Sequence, residues 1–265
     1  MEIHNHTHTE HSGPRKKWTH YFWEFLMLFL AVFCGFLAEN LREHKVEQKR
    51  AKELARSFYE ELKNDSAAVF SKQQNRIKQE KALVWLMNYF KDSSLVTVSK
   101  TFEINFLYGI LFRTPSLFEP KTVVLEQLKN SGSLRYFKNE ELQKLIGDLS
   151  VAIHNINDRQ DLESTVRMQF VNPLIILHFD YDFETTLKKR NQLDIFNATL
   201  EYEKNSETIS FHFKGLNKFD KEHTINVLGF YGMSGLEATR RIHYQRYIDL
   251  NEELLKSLRK EYHLE

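Results

Sequence analysis

The sequence predicts a mostly α-helical protein with one N-terminal transmembrane helix, a long stalk helix continuing from it, and an antiparallel helical bundle. Three observations support this fold class. An apolar run follows a short polar tail; no glycine or proline occurs between Gly35 and Gly109; and later segments repeat apolar residues at helical spacing. With nine glycines and four prolines, the chain is also poor in the turn residues that an all-β fold requires.

The amino-acid composition excludes several classes of protein. The 265 residues suit one domain, or one domain with an appendage. Lysine and arginine (37) nearly balance aspartate and glutamate (36), which excludes nucleic acid as the expected partner, because nucleic-acid binders carry a basic excess. The 21 phenylalanines and 11 tyrosines supply a core, and a single cysteine excludes an internal disulfide framework.

The apolar run is Tyr21–Ala38, in which Glu24 is the one charged residue. Phe25–Ala38 alone is too short for a hydrocarbon layer of about 30 Å at about 1.5 Å per residue. Adding Trp18–Trp23 makes up the length and places an aromatic belt at the headgroup level. The predicted division is a disordered His-rich tail (1–17), a transmembrane helix (18–38), and a helical stalk with a soluble helical domain (39–265).

Three other interpretations of this run remain open. A cleaved signal peptide would place the bulky Phe36 three residues before a cut after Ala38, a poor fit. A lipoprotein would use Cys34, but Phe33 precedes it where a small residue is needed. A buried core helix is the third, although the basic cluster 15–17 followed by aromatics is typical of a membrane flank.

Residues Glu39–Phe90 are expected to continue the helix. The first part is polar nearly all round and predicts a solvated stalk; interleaved acids weaken the alternative of binding to anionic headgroups. An apolar stripe follows, which either packs in the domain's own core or forms a homo-oligomeric coiled coil. Its members are Leu54, Phe58, Leu62, Val69, Ile77 and Val84.

The bundle is predicted from Leu54–Phe90, Lys121–Asn130, Glu140–Phe170 and Leu236–Tyr262. Asn139 is the expected N-cap of the third helix, and Ser131-Gly132 the expected stop of the second. Thr208–Phe213 alternates weakly and predicts a short hairpin. The glycines before the last helix predict a flexible lead, with a capping box formed by Ser234 and Glu237; they are Gly229, Gly232 and Gly235.

Two groups of residues are candidate metal ligands. The tail carries His4, His6, His8 and His11, whose imidazoles can converge on Zn²⁺, Cu²⁺ or Ni²⁺. Adventitious binding of zinc or nickel by a polar tail is the plainer interpretation, and no true cofactor is expected. The second group is HxDxDxE: His178, Asp180, Asp182 and Glu184. A strand would place all four on one face, but the spacing of a calcium loop is absent.

Glu24 is the residue expected to contact a partner, because a carboxylate inside a membrane segment is costly and is a functional hypothesis by default. The sequence contains no HExxH or GxSxG motif and no nucleophile–base pair in a known frame, which predicts that the protein is not an enzyme. The leading hypothesis is a membrane-anchored scaffold or accessory subunit of a cell-envelope complex, bound to the bilayer and to protein partners or to further copies of itself. The alternative is a metal or pH sensor that uses the His tail.

Two motifs carry a resemblance to a known family. They are EFLMLFLAVFCGFLAENLREH (Glu24–His44) and LKNSGSLRYFKN (Leu128–Asn139), with an acidic stretch at Glu60–Asp65. The chain thus resembles an uncharacterised family of single-span inner-membrane proteins of Gram-negative bacteria. The resemblance implies a helical domain anchored in the inner membrane and facing the periplasm, and it implies no activity.

Charge counts disagree about orientation. Three basic residues precede the span and five follow it closely, so a strict positive-inside count favours a cytoplasmic C-terminal side. The basic cluster 15–17 abuts the span directly, and the family resemblance indicates a cytoplasmic N-terminus. We therefore expect the large domain on the periplasmic side.

Overall fold

The computed structural model describes residues 15–264. These contain helices and loops but no β-strand, which confirms the mostly α-helical prediction for this part of the chain. The α-helices are α1 Arg15–Asp92, α2 Lys100–Phe106, α3 Val123–Asn130, α4 Glu140–Val166, α5 Asn172–His178, α6 Tyr181–Asn191, α7 Ile195–Lys204, α8 Lys221–Gly229 and α9 Gln245–Tyr262. Wider π-helical turns extend α2 (Leu107–Leu111), α4 (Arg167–Val171) and α8 (Phe230–Glu237 and Thr239–Tyr244).

Contacts divide the chain into two units, 1–53 and 54–265. The described part of the first unit belongs to α1, the helix that is long and apolar enough to cross a membrane; its most apolar 18-residue window contains no buried residue. The exposed side chains there include Trp18 (82%), Phe25 (67%), Leu28 (71%) and Phe36 (73%). This unit therefore presents a large apolar surface.

The second unit, called the body below, has an aromatic core. Phe102 and Phe106 of α2 pack against Phe179, Phe211 and Phe213, with ring centroids 5.8–6.5 Å apart. Offset and edge-to-face ring pairs of this kind add to the stability gained from area burial.

The last helix runs antiparallel to α4. Asn139, the N-cap of α4, donates to Glu261 near the end of α9 (2.7 Å), whereas Arg159 donates to the carbonyl oxygen of Ser234 (2.6 Å). The apolar stripe predicted for this helix is almost completely buried, as expected for a packed helix face. Its members are Leu236, Tyr244, Tyr247, Leu250, Leu254 and Leu258.

The buried face of α1 in the body differs from the apolar stripe that was predicted for this helix. Phe58, Leu62 and Val69 are buried in the chain's own core as expected, but Val84 is 48% exposed. Beyond Val69 the buried positions are Arg76, Gln79, Ala82, Leu83, Leu86 and Phe90. The apolar pattern failed here because two of the buried positions hold polar side chains.

The hairpin predicted at Thr208–Phe213 is wrong. Ile209, Phe211 and Phe213 are buried in alternation, so the extended pattern is present, but no strand pairs with it in the described part of the chain. The amide groups find other acceptors: Ile209 N donates to the Tyr202 hydroxyl (3.1 Å), and Lys214 N donates to the His178 carbonyl (3.1 Å). Side chains and loop carbonyls thus replace a partner strand.

The predicted flexible lead into the last helix is also wrong. Residues 221–262 are helical throughout, so Ser234 and Glu237 do not cap a helix start. A Cβ atom at Gly232 would lie 3.3 Å from Leu83, and one at Gly229 would lie 3.5 Å from Met87. Gly232 therefore lets the π-helical segment approach α1 closely, whereas a side chain at Gly229 would make only an ordinary contact.

Two helix-end predictions are confirmed. Asn139 Oδ1 accepts from Leu142 N (3.1 Å) and caps α4. Gly132 follows the end of α3 with φ +67°, a left-handed conformation that glycine adopts without strain.

Two glycines in helical segments should respond oppositely to alanine. Gly109→Ala places Cβ 3.2 Å from the Leu83 amide nitrogen, and overpacking there should lower the free energy of unfolding by about 1–3 kcal/mol. Gly147→Ala meets nothing within 4 Å inside α4 and should raise it by up to about 1 kcal/mol. Thermal unfolding of the full chain in mild detergent measures both. Equal effects of the two changes would contradict the close packing of residue 109 on α1.

Candidate functional site

Glu24 lies on the exposed surface of α1, with 60% of its side chain accessible. Its Oε1 is 3.2 Å from Nε2 of His20, one turn earlier on the same face. The predicted partner-binding residue is therefore accessible and has a titratable neighbour on its own helix, and its role in binding stays a prediction.

Stacked aromatic rings line the helix next to Glu24. The ring centroids of Phe25 and Phe29 lie 6.3 Å apart, and those of Phe29 and Phe33 lie 5.9 Å apart, with nearly parallel planes. These side chains share one exposed face, which is apolar over about two turns.

The histidines of the tail, His4, His6, His8 and His11, lie outside the described residues. Metal binding by the tail therefore stays a prediction.

The HxDxDxE motif does not form a metal cluster. Asp180 caps α6 by accepting from Asp182 N (3.2 Å), and the buried His178 ring stacks on Phe213 with centroids 4.8 Å apart. Across residues 15–264, no group of three or more His, Cys, Asp or Glu side chains is placed to hold a metal ion. A strand would have aligned these side chains, but the segment is a helix end followed by a helix start.

Asp180 instead holds the extended segment 208–214. Its carboxylate is 1% exposed, accepts from His212 N (2.8 Å) and lies 3.3 Å from Lys214 Nζ. Burial alone would raise the pKa of Asp180, but the hydrogen bonds from His212 and Lys214 outweigh it and lower the pKa below 3.8. The charged carboxylate is thus the stable form in the fold.

The most extensive polar site in the body is a buried ion pair that the sequence did not predict. Arg76 of α1 is completely buried, and Glu163 of α4 is 3% exposed. The pair is bidentate, with Nη1–Oε1 at 2.7 Å and Nη2–Oε2 at 3.0 Å. Arg76 also donates to the Leu236 carbonyl (3.1 Å) and the Tyr244 hydroxyl (3.2 Å). One guanidinium therefore joins α1, α4 and the C-terminal helical segment.

The Tyr244 hydroxyl extends this network to the loop between α2 and α3. It donates to Gln160 Oε1 (2.7 Å) and accepts from Phe118 N (3.1 Å). Gln160 in turn pairs with both backbone groups of Phe118, at 3.0 Å each. Burial raises the pKa of Tyr244 to about 12, so the hydroxyl stays neutral and keeps its donor. The network thereby satisfies the backbone of a loop buried between helices.

Two carboxylates of α1 hold the start of α3. Glu61 accepts from Val124 N (3.0 Å) and Leu125 N (3.4 Å), where the helix dipole favours an anion. Asp65 accepts from Lys121 N (2.9 Å) and from the Tyr247 hydroxyl (3.0 Å). Burial raises the pKa of Asp65, although these hydrogen bonds oppose the rise.

Arg167 connects two of the π-helical segments. It stands at the first position of the π-turn after α4 and donates 2.8 Å hydrogen bonds to the carbonyls of Ile110 and Leu111, at the end of the π-turn after α2. Because the helical segment ends at Leu111, these two carbonyls have no partner within it, and the Arg167 guanidinium satisfies them. Arg167 therefore fixes the position of this helix end.

An open cavity of about 590 Å³ borders this region. Apolar side chains of Phe112 and Phe196 line it together with Lys72 and Asp194. Lys72 donates to the Thr114 carbonyl (3.2 Å), and Asp194 caps α7. These two charged groups are thus bound to the backbone of the cavity wall.

Comparisons with protein-family models, with curated proteins and with solved structures found no match to this chain.

The ion pair can be tested by a double-mutant cycle. Arg76→Met alone leaves Glu163 charged and buried, and should lower the free energy of unfolding by about 3–5 kcal/mol. Adding Glu163→Leu removes that unpaired charge, so the double variant should be more stable than Arg76→Met. Chemical unfolding of the full chain in mild detergent gives the four values. Additive losses would mean that the two side chains do not act as a pair.

The low pKa of Asp180 predicts an acid-dependent contribution. Because the folded pKa lies below 3.8, the carboxylate stabilises the fold above that value, and the stabilisation is lost as pH falls through the folded pKa. Asp180→Asn should lower the free energy of unfolding by about 1–2 kcal/mol at neutral pH, with the difference shrinking in acid. Melting curves across pH measure this. Asp158→Asn is the matched control, since Asp158 is 62% exposed, and a pH-independent Asp180→Asn effect would refute the electrostatic explanation.

Proposed function

We propose that the protein is a non-enzymatic scaffold or accessory subunit of a cell-envelope complex, anchored by residues 18–38 as a single-pass inner-membrane helix with the body in the periplasm. The observation that carries this proposal is the exposed apolar surface of Trp18–Ala38. Its large side chains, such as Phe29 (53%) and Val32 (68%), face outward. Surface of this size and composition is typical of contact with lipid or with a protein.

The dimensions suit a bilayer. Residues 18–38 form about 31 Å of α-helix at about 1.5 Å per residue, close to the roughly 30 Å hydrocarbon layer. Trp18, Tyr21 and Trp23 stand at one end, where amphipathic rings prefer the interface. Arg42 and Glu39, paired at 2.6 Å, follow the other end and suit the aqueous side.

Glu24 supports a partner beyond the lipid. Within a bilayer its carboxylate needs a compensating group, and His20 supplies one at 3.2 Å. A polar group from the membrane helix of a partner would replace the remaining water contacts. Glu24 is therefore the residue we assign to partner contact in the span.

The structure of the body is better suited to a scaffold role than to catalysis. Three of its buried charged groups, Arg76, Glu61 and Arg167, each bind main-chain atoms of another segment. Such contacts fix the positions of loops and leave these groups without a free reactive function. The basic residues next to the span support a cytoplasmic N-terminus.

Membrane fractionation tests the anchor. The full chain should stay in the membrane pellet after high salt and alkaline carbonate and should dissolve in detergent, whereas a chain lacking residues 1–38 should be released. Protease added to spheroplasts should digest the body if it is periplasmic. Full-length protein that dissolves after a salt wash would refute the anchor, and a protected body would refute the orientation.

The role of Glu24 can be separated from anchoring. Glu24→Leu should leave membrane insertion intact, because it only adds apolar surface, but it should reduce the recovery of partner proteins in mild detergent. Met27→Leu, which alters the same segment without touching the carboxylate, is the control. Unchanged partner recovery from Glu24→Leu would count against the proposed contact.

A further inference from the structure

The open cavity of about 590 Å³ has an arginine in its wall whose charge is not paired. Arg113, in the loop after the π-turn Leu107–Leu111, lines this cavity and is half-buried. Within residues 15–264 its side chain makes no hydrogen bond and no ion pair. Its main chain is engaged, because the Arg113 carbonyl accepts from Ser116 N at 3.0 Å. The backbone is therefore fixed while the guanidinium keeps its donors available.

This state of Arg113 contrasts with that of the other arginines that the body encloses. In the described part of the body, the other buried or half-buried arginines all donate to oxygen atoms of the protein. They are Arg76, Arg159, Arg167 and Arg240. Partial removal of a charge from water costs free energy unless a partner compensates it. Arg113 is thus the enclosed arginine whose partner has to come from outside the chain.

A second cationic side chain lines the same cavity. Lys72 of α1 donates to the Thr114 carbonyl (3.2 Å), and Asn75 donates to the Pro115 carbonyl (3.1 Å). These contacts hold the residues that follow Arg113 against α1. Lys72 uses one of three N–H donors in this way and makes no ion pair within residues 15–264. Two cations beside one fixed loop favour an anionic ligand.

The acidic residues in the cavity wall already have donors of their own. Asp194 Oδ1 accepts from Phe196 N (3.0 Å) and Asn197 N (3.1 Å), and its Oδ2 accepts from Asn197 Nδ2 (2.6 Å). Glu184 lies 3.4 Å from Lys188 Nζ on its own helix. A cationic ligand would have to compete with these groups, whereas an anionic ligand meets donors that are unused.

Aromatic rings form the apolar part of the wall. Phe112 and Phe196 pack edge to face with ring centroids 5.3 Å apart, and Phe112 also packs on Tyr108 at 5.6 Å. Because each ring is held by another ring, the apolar surface is formed before any ligand arrives. Preformed apolar walls with a few polar groups are typical of sites for small molecules.

We infer that this cavity binds a small organic carboxylate, with its anionic group on Arg113 and Lys72 and its apolar portion on Phe112 and Phe196. A guanidinium matches a carboxylate through two parallel hydrogen bonds, and the lysine adds a second positive charge. The volume lies within the range of about 300–1,000 Å³ that small-molecule sites occupy. This binding role goes beyond the proposed scaffold and does not depend on the membrane anchor.

Ligand-observed NMR titration tests the site on the full chain in lipid nanodiscs, with empty nanodiscs as the blank. The probe is 4-phenylbutanoate, which joins a carboxylate to an aromatic ring, and it should bind with a Kd below about 1 mM. The uncharged 4-phenylbutanamide should bind at least about tenfold more weakly, because charge-assisted hydrogen bonds are about twice as strong as neutral ones. Inorganic phosphate, which lacks the apolar portion, should also bind more weakly than the carboxylate.

Variants locate the binding in the cavity. Arg113→Gln should weaken binding of the carboxylate at least about tenfold and leave that of the amide unchanged, whereas Arg113→Lys should be intermediate. Lys72→Gln, which keeps a donor for the Thr114 carbonyl, should weaken carboxylate binding about threefold. Arg241→Gln is the control, because Arg241 is 69% exposed and pairs with Glu237 outside the cavity. Its affinity should equal that of the wild type.

Four results would each overturn the inference: no binding to the wild type, equal binding of acid and amide, phosphate binding as tight as that of the aromatic carboxylate, or unchanged carboxylate binding by Arg113→Gln. Thermal unfolding separates a lost site from a lost fold. Since the Arg113 side chain makes no contact that Gln would remove, the melting temperature of Arg113→Gln should equal that of the wild type.

Discussion

The body depends on one buried ion pair. The guanidinium of Arg76 and the carboxylate of Glu163 are removed from water, which costs several kcal/mol per ion unless geometry and hydrogen bonding compensate. Here each carboxylate oxygen accepts a hydrogen bond from Arg76, which also donates to the Leu236 carbonyl and the Tyr244 hydroxyl. Since Arg76 and these partners belong to three helical segments, α1, α4 and 221–262, the correct packing of the body is the arrangement that satisfies all of them together.

Buried arginines also hold the irregular parts of the backbone. Arg167 donates to the carbonyls of Ile110 and Leu111, and Arg76 donates to that of Leu236; all three acceptors lie in π-helical turns. The Ile110 and Leu111 carbonyls stand at a helix end, where they lack partners within the helix. The guanidinium groups therefore join π-helical segments to other segments of the body.

Buried helix faces and helix ends were predicted correctly where apolar periodicity and capping residues determine them. The stripe of α9, the Asn139 cap and the glycine stop after α3 were all readable, because each follows from local side-chain chemistry. The polar core could not be predicted in this way, because a search for apolar residues at helical spacing does not include Arg76. One feature of the sequence could have indicated the buried arginine. Val69, Arg76, Leu83 and Phe90 recur every seven residues, which places the arginine on the buried face of α1. The hairpin prediction was wrong because alternating apolar residues indicate which side chains are buried. They do not indicate whether the segment pairs with another strand.

The way Asp180 and Tyr202 occupy the amides of segment 208–214 has a consequence for solubility. A phenylalanine-rich extended segment with free main-chain donors would be a template for intermolecular β-pairing and aggregation. Here the donors of Ile209 and His212 are engaged by side chains, and the aromatic rings point into the core. The chain thereby keeps an extended, phenylalanine-rich segment without presenting unpaired main-chain donors to neighbouring molecules.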